Sequence, residues 1–243
     1  MQLQVRHAER FVERHEREWP IASTRWTKLY LNPADSSLTR KPVRTAGAIT
    51  YDALGDGVTF VSAPLAKETE ITGPSAAKLF VSSSTGDADL FVVLRVFRAD
   101  FREIVFQGAI DPHTPVAQGW LRASHRKLDK KLSTPWRPYH THDELQPLRR
   151  NEVAGLEIEI WPTSVVVPAG CRIALTVRGN DYVYPGGSGG KLSNFKNELT
   201  GCGPFLHDDP RDRPPQIFGG KVKLHFGPGR VSWVLVPVVP ARR

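Results

Sequence analysis

The sequence predicts an all-β fold, a sandwich or barrel with little helix. Short runs of alternating polar and apolar residues recur along the chain. Clusters rich in Gly, Pro and Asp punctuate them. A long stretch of helical periodicity is hard to find, and many short strands joined by tight turns close only as a sandwich or barrel.

The strand assignments follow in order. Arg25–Leu31 alternates with period two, as a half-buried strand does. Val58–Val61 follows the Gly55-Asp56-Gly57 turn, and Lys78–Ser84 runs into another at Thr85-Gly86-Asp87. Leu90–Phe97 is almost continuously apolar and predicts a central strand covered on both faces, with Glu103–Ile110 paired to it. Leu156–Trp161 and Arg172–Arg178 alternate again. Val222–Phe226 and Val231–Val236 predict a closing hairpin with Gly227-Pro228-Gly229 at its tip. Helix is expected at most in Ala8–Glu18 and Asn194–Leu199, so residues 1–24 form an extended or helical lead-in. The whole chain, 1–243, reads as one domain.

Composition narrows the function classes. The 243 residues are 40% hydrophobic and 24% charged, enough for a sizeable core. An apolar run long enough to span a membrane is absent, and the N-terminus lacks the apolar segment of a signal peptide, so the expected compartment is the cytoplasm, with no membrane partner. Cys171 and Cys202 are not in a C-x-x-C pair and read as reduced thiols. The net charge of +8 concentrates in Arg122, His125, Arg126, Lys127, Lys130 and Lys131. No aromatic-interleaved RNA motif or DNA-reading helix accompanies that cluster, so nucleic acid is not an expected partner.

An ordered series of motifs carries a resemblance. Phe60-Val61-Ser62-Ala63-Pro64-Leu65 is followed by Thr69–Pro74, Leu79–Ser84 and Asp87–Leu94; then come Gly119-Trp120-Leu121-Arg122-Ala123-Ser124, Glu159–Ser164 and Pro168–Ile173. Together, over residues 20–237, they resemble the C-terminal domain of the CocE/NonD hydrolases, the group that includes cocaine esterase and the X-prolyl dipeptidyl-peptidases. The resemblance implies a jelly-roll β-sandwich of the galactose-binding type. It also implies a non-catalytic role, because in that family Ser, Asp and His lie in an α/β-hydrolase domain beside a helical cap. An excised domain, a split-gene product and a free-standing relative all fit it. The implied partner is an α/β-hydrolase domain or chain, or a second copy as a homodimer, and no cofactor is implied. Two positions depart from the family. Cys171 stands where His is common, and Gly179–Gly186 replaces a Ser-x-x-Phe-Pro segment facing the partner domain.

Partner- or pocket-facing candidates are Trp120, Asp181, Tyr182 and Tyr184. Asp87 and Asp89 read as turn residues, and Gly73-Pro74 as a break between strands. Gly186-Gly187-Ser188-Gly189-Gly190 fits the nucleophile-elbow pattern, with Asp208, Asp209 and His225 following in hydrolase order; Pro185 argues against the buried strand an elbow requires, so Ser188 is the low-ranked catalytic candidate. A phosphate loop is excluded, because Leu192 stands where Ser or Thr would meet magnesium. His140 and His142, two apart on an extended chain, are the low-ranked metal candidates. Trp26, Trp120, Trp136 and Trp161 suggest a carbohydrate platform as the competing binding-module reading; the strand positions of all but Trp136 predict core packing instead.

Overall fold

The computed structural model describes residues 1–7, 10–108, 113–185 and 206–241. Its strands are β1 Gln2–His7, β2 Arg10–His15, β3 Arg25–Asn32, β4 Ser37–Thr39, β5 Gly47–Asp52, β6 Val58–Ser62 and β7 Thr69–Ser83. They continue with β8 Asp89–Phe97, β9 Glu103–Ile104, β10 Ala117–Arg122, β11 Ala154–Val167, β12 Arg172–Arg178, β13 Lys221–Phe226 and β14 Trp233–Val239. The spatial order is β10, β8, β12, β6, β4, β3, β14, β7, β11, β1, β2, with β9 beside β8 and β13 joining β5 to β7. β1 with β11 and β4 with β6 run parallel; the other pairs are antiparallel. The sheet curls until β10 packs on β11, which makes the jelly-roll sandwich.

The core between the layers is apolar, as the alternation requires. Leu29 and Leu31 of β3, Leu90, Val92 and Leu94 of β8, Leu156, Ile158 and Ile160 of β11, and Leu175 and Val177 of β12 are all buried. Both faces of β8 are covered between Leu90 and Leu94, which explains its unbroken apolar run. At Gly119 of β10 the Glu159 carbonyl oxygen occupies the space a Cβ would need. Glycine there lets β10 and β11 meet backbone to backbone.

Several expectations change. Residues 10–15 form a strand rather than helix, paired with β1 from Gln2↔His15 to His7↔Arg10. Gly73-Pro74 does not end a strand; β7 runs through it for 15 residues. The neighbouring strands instead carry irregularities at the same level. β11 shifts register between Ile160 and Thr163, and β14 between Leu235 and Val238. Gly73 (φ 142°) sits against the Pro237 ring, where a Cβ would lie 2.9 Å from it. Gly-Pro, Trp-Pro and Val-Pro steps thus align as a crease across three strands, because proline cannot donate to the ladder.

The expected closing hairpin is also absent. β13 and β14 both run antiparallel to β7, so they are parallel to each other and follow one another along the same edge of β7. Gly227-Pro228-Gly229-Arg230 is a tight turn that steps the chain sideways rather than reversing it. Of Glu103–Ile110, only Glu103 and Ile104 pair with β8, and 109–112 lie outside the described residues. Among the described residues helix is confined to a turn at Ala123–His125 and one at Pro215–Phe218; Asn194–Leu199 lies outside them.

Candidate functional site

The β10–β11 contact builds a cleft rich in aromatic and charged side chains. Side chains on the outward parity of β10 and β11 meet over Gly119. Trp120 and Trp161 lie edge to face with ring centroids 5.0 Å apart, and Trp161, beside the crease, is 62% exposed. They line a cleft of about 400 Å³ with Glu159, Phe91, Asp89, Arg122, Arg213, His125, His140, His142 and His207.

A buried charge hub forms one wall. Asp89 accepts Nε and Nη2 of Arg122 at 2.8 and 3.0 Å, and Nε of Arg213 at 2.9 Å. Arg122 is held from its other side by Asp212 at 2.9 Å and stacks over Phe218 at 4.3 Å. Its guanidinium is therefore held above its ordinary pKa, first by the bond to Asp89. Arg213 also donates to the carbonyls of His207 and Gly179, both at 2.5 Å, tying the 206–213 segment to the end of β12. These partners make Asp89 a charge hub rather than a turn residue. Asp87 fits the turn role, accepting the N–H groups of Ala88 and Ser124 at 2.8 and 2.9 Å.

The partner-facing candidates separate. Trp120 is half-buried in the cleft. Asp181 accepts the backbone N–H of His207 at 2.6 Å and lies 2.9 Å from its Nδ1, which fixes the ring edge-on to Phe91. Tyr184 stacks on His113 at 4.4 Å. Tyr182 faces inward and is only 1% exposed. Its hydroxyl donates to Glu103 at 2.8 Å, and Glu103 in turn pairs with Arg95 at 2.5 Å, so Tyr182 is an internal strut. A second cleft of about 380 Å³, lined by Leu54, Asn180, Asp181, Val183 and Pro215, shares His207 and Arg213 with the first.

His140 and His142 lie with ring centroids 6.1 Å apart. His142 has φ 53°, so the chain is not extended there, and its Nδ1 instead meets Nδ1 of His125 at 3.0 Å. Burial, then His142, pushes the His140 imidazole below its ordinary pKa, and its Nε2 is buried without a hydrogen-bond partner. Among the described residues no group of three or more His, Cys, Asp or Glu is arranged to hold a metal ion. Ser188 and Cys202 lie outside the described residues, and Cys171 is a free, buried thiol. Of the hydrolase-order candidates, Nε2 of His225 is bonded to Ser82 at 2.8 Å and Asp209 to Arg211 at 2.6 Å. Part of the basic cluster, Arg122 and Lys127, is ion-paired locally. Lys127 pairs with Asp143 and Glu144, and Arg126 donates to the carbonyls of Ala123 and Gln146.

The four tryptophans are not in the core. Trp26 and Trp136 stack at 4.5 Å with planes 9° apart, beside a groove of about 430 Å³ with Lys28, Tyr30 and Arg40. Sequence parity carried the signal. Trp26 alternates against buried Leu29 and Leu31, and Trp120 against buried Ala117 and Leu121, so both point outward.

The motif series and the fold converge with known proteins. The family described as the X-Pro dipeptidyl-peptidase C-terminal non-catalytic domain matches residues 2–196. The chain belongs to that family. It superposes on the crystal structure of a CocE/NonD family hydrolase from Staphylococcus aureus with a TM-score of 0.80 and 25% identity, covering 98% of this chain and 41% of that one. A Mycobacterium bovis protein named as a serine esterase is 33% identical over 157 residues, 61% of this chain and 21% of that protein. The chain thus spans about a fifth of its curated relatives. An α-amino acid ester hydrolase shares the fold at 15% identity and a TM-score of 0.58, over 88% of this chain and 36% of that one. This X-Pro dipeptidyl-peptidase C-terminal-type sandwich, a C-terminal domain of a CocE/NonD-type hydrolase, carries the cleft under Trp161. Among the described residues, no helix is long and apolar enough to cross a membrane.

Proposed function

We propose that this sandwich, acting as one domain over 1–243, buttresses an α/β-hydrolase domain through the face that runs from Trp161 to Leu54. The carrying observation is that the two clefts adjoin, sharing His207 and Arg213, and are edged by outward apolar side chains. Trp161 is 62% exposed, Val183 42% and Leu54 39%. Apolar groups around polar, pre-organised anchors are what a permanent domain contact uses. Trp120 and Asp181 line these clefts; Tyr184, stacked on His113, is assigned to the same face, with Tyr182 as an internal strut. The catalytic serine, aspartate and histidine reside in the partner, in the same polypeptide or another, and the assembled enzyme hydrolyses esters or amides, X-Pro peptides included. The setting is the cytoplasm, without nucleic-acid or membrane partners and without a cofactor.

The test is capture of the tagged chain from its native cells, followed by fluorophosphonate labelling. The wild type should carry a labelled α/β-hydrolase, and a Trp161→Asp, Val183→Asp double variant should carry much less. A wild-type chain that is monomeric at high concentration, with no labelled hydrolase, would overturn the buttress role; a homodimer through this face would mean a second copy occupies it. The Trp26–Trp136 stack supports a second reading, a carbohydrate or small-ligand binding module. Under that reading, glycan binding would be lost in Trp136→Ala and unaffected in Trp161→Asp.

A further inference from the structure

Glu159 is the unusual group in the cleft. Alternate residues of a strand share a face. Glu157 and Glu159 thus project outward from β11, and Glu157 is matched by Lys78 at 2.8 Å. Glu159 has no hydrogen-bond or ion-pair partner among the described residues. Burial pushes its carboxyl above the ordinary range, with Arg137 the one counteracting charge. The cleft's own arginines are already committed, Arg122 to Asp89 and Asp212, Arg213 to Asp89. The charge left unmatched is therefore negative.

The surroundings add two further preferences. Trp120 and Trp161 present indole rings to the same cleft, and indole is the best aromatic partner for a cation. His140 lines the cleft, makes a hydrogen bond with the Glu157 backbone, and keeps Nε2 buried and unpartnered. An imidazole held below its ordinary pKa offers that nitrogen as an acceptor. A free carboxylate, a free acceptor and two indoles call for a ligand that is positive, rich in N–H donors and carried on an apolar stem.

We infer that the Glu159–Trp161 corner of the cleft binds an organic cation, an alkylammonium or alkylguanidinium group. The carboxylate supplies the opposite charge, the indoles supply the cation–π face and cover the stem, and the imidazole nitrogen accepts an N–H. An anion would meet unmatched negative charge here. The corner lies on the face assigned to the hydrolase domain, so the binding is read on this chain alone, where the cleft is open.

The test titrates the full chain with n-butylguanidinium and n-butylammonium, with 1-pentanol as the neutral control, read by calorimetry and tryptophan fluorescence. Saturable binding of the cations, well above that of pentanol, is expected. Glu159→Gln should weaken it roughly tenfold and Trp161→Ala roughly fivefold. Arg137→Ala, which removes the competing cation, should tighten it. Glu159→Asp provides a second variant should the glutamine form fold poorly. An acetylated peptide amide with one internal arginine distinguishes the sources. Binding as tight as butylguanidinium points to a protein side chain, and binding of free amines alone points to a small-molecule ligand. Equal affinity for pentanol, or no loss in Glu159→Gln with the fold intact, would overturn the inference.

Discussion

The backbones of Gly119 and Glu159 touch: the Glu159 carbonyl oxygen fills the place of a Cβ on Gly119. That contact closes β10 onto β11 and sets Trp120 against Trp161. Gly119→Ala should therefore do more than fill space. Neither backbone can yield without opening the sandwich edge, so a loss of about 3 kcal/mol is expected, at the upper end of overpacking effects. Urea unfolding measures the loss. Near-UV circular dichroism should show weakened coupling of the two indoles even where the variant remains folded.

Asp89 serves two arginines at once. Arg213 is 6% exposed and Asp89 9% in their side chains, so removing the carboxylate strands a buried guanidinium. Asp89→Asn should cost about 3 kcal/mol. Asp212, 60% exposed and bonded to the same Arg122, is the control; Asp212→Asn should cost less than about 1 kcal/mol. Equal effects of the two substitutions in chemical denaturation would show that Arg213 has another anchor.

Asp89 also shows where sequence reasoning ends. The motif Asp87-Ala88-Asp89 looks like paired turn residues, and Asp87 acts as one. The partners of Asp89 are 33 and 124 positions away, so no local pattern announces them. The strands themselves were legible because period-two burial is local, and so was the family, carried by short motifs in fixed order. The strand order was less so. Val222–Phe226 and Val231–Val236 carry the composition of a hairpin, and only the long-range edge of β7 shows that they lie end to end. The tryptophans were misplaced for a simpler reason. Their strand positions suggested core, while the parity of Leu29, Leu31 and Leu121 already put Trp26 and Trp120 outside. Trp161 continues the outward parity of Glu157 and Glu159, so the alternation of Leu156–Trp161 put it outside as well.

Acidification should destabilise the domain. His140 and His225 are both held below the ordinary imidazole pKa of 6.5, chiefly by burial. For His140, the rings of His142 and His125 add to this, and for His225, Arg230 and Lys223 do. The unfolded chain takes up a proton at each near the ordinary value while the folded chain resists until lower pH. The unfolded state then binds more protons, and stability falls as pH drops. The contribution is complete above about pH 7.5 and is lost progressively from about pH 6.5 downward through the folded values. Urea midpoints measured across that window should decline, and a His140→Gln, His225→Gln double variant should show a shallower decline.

Trp161 separates surface function from stability. Its ring is 62% exposed and meets only the edge of Trp120, so Trp161→Asp should change unfolding free energy by less than about 1 kcal/mol. The same substitution places a charge within the face assigned to the hydrolase domain, where a buried, unpaired carboxylate costs several kcal/mol. Association should therefore fall by orders of magnitude while the melting temperature hardly moves. Val12→Asp, on the exposed edge strand β2, is the matched control. It adds the same charge to another exposed position, outside the Trp161–Leu54 face, and should leave association intact. Quantitative capture of the fluorophosphonate-labelled partner by the three proteins decides between them. Equal capture by Trp161→Asp and wild type would move the contact to another face of the sandwich.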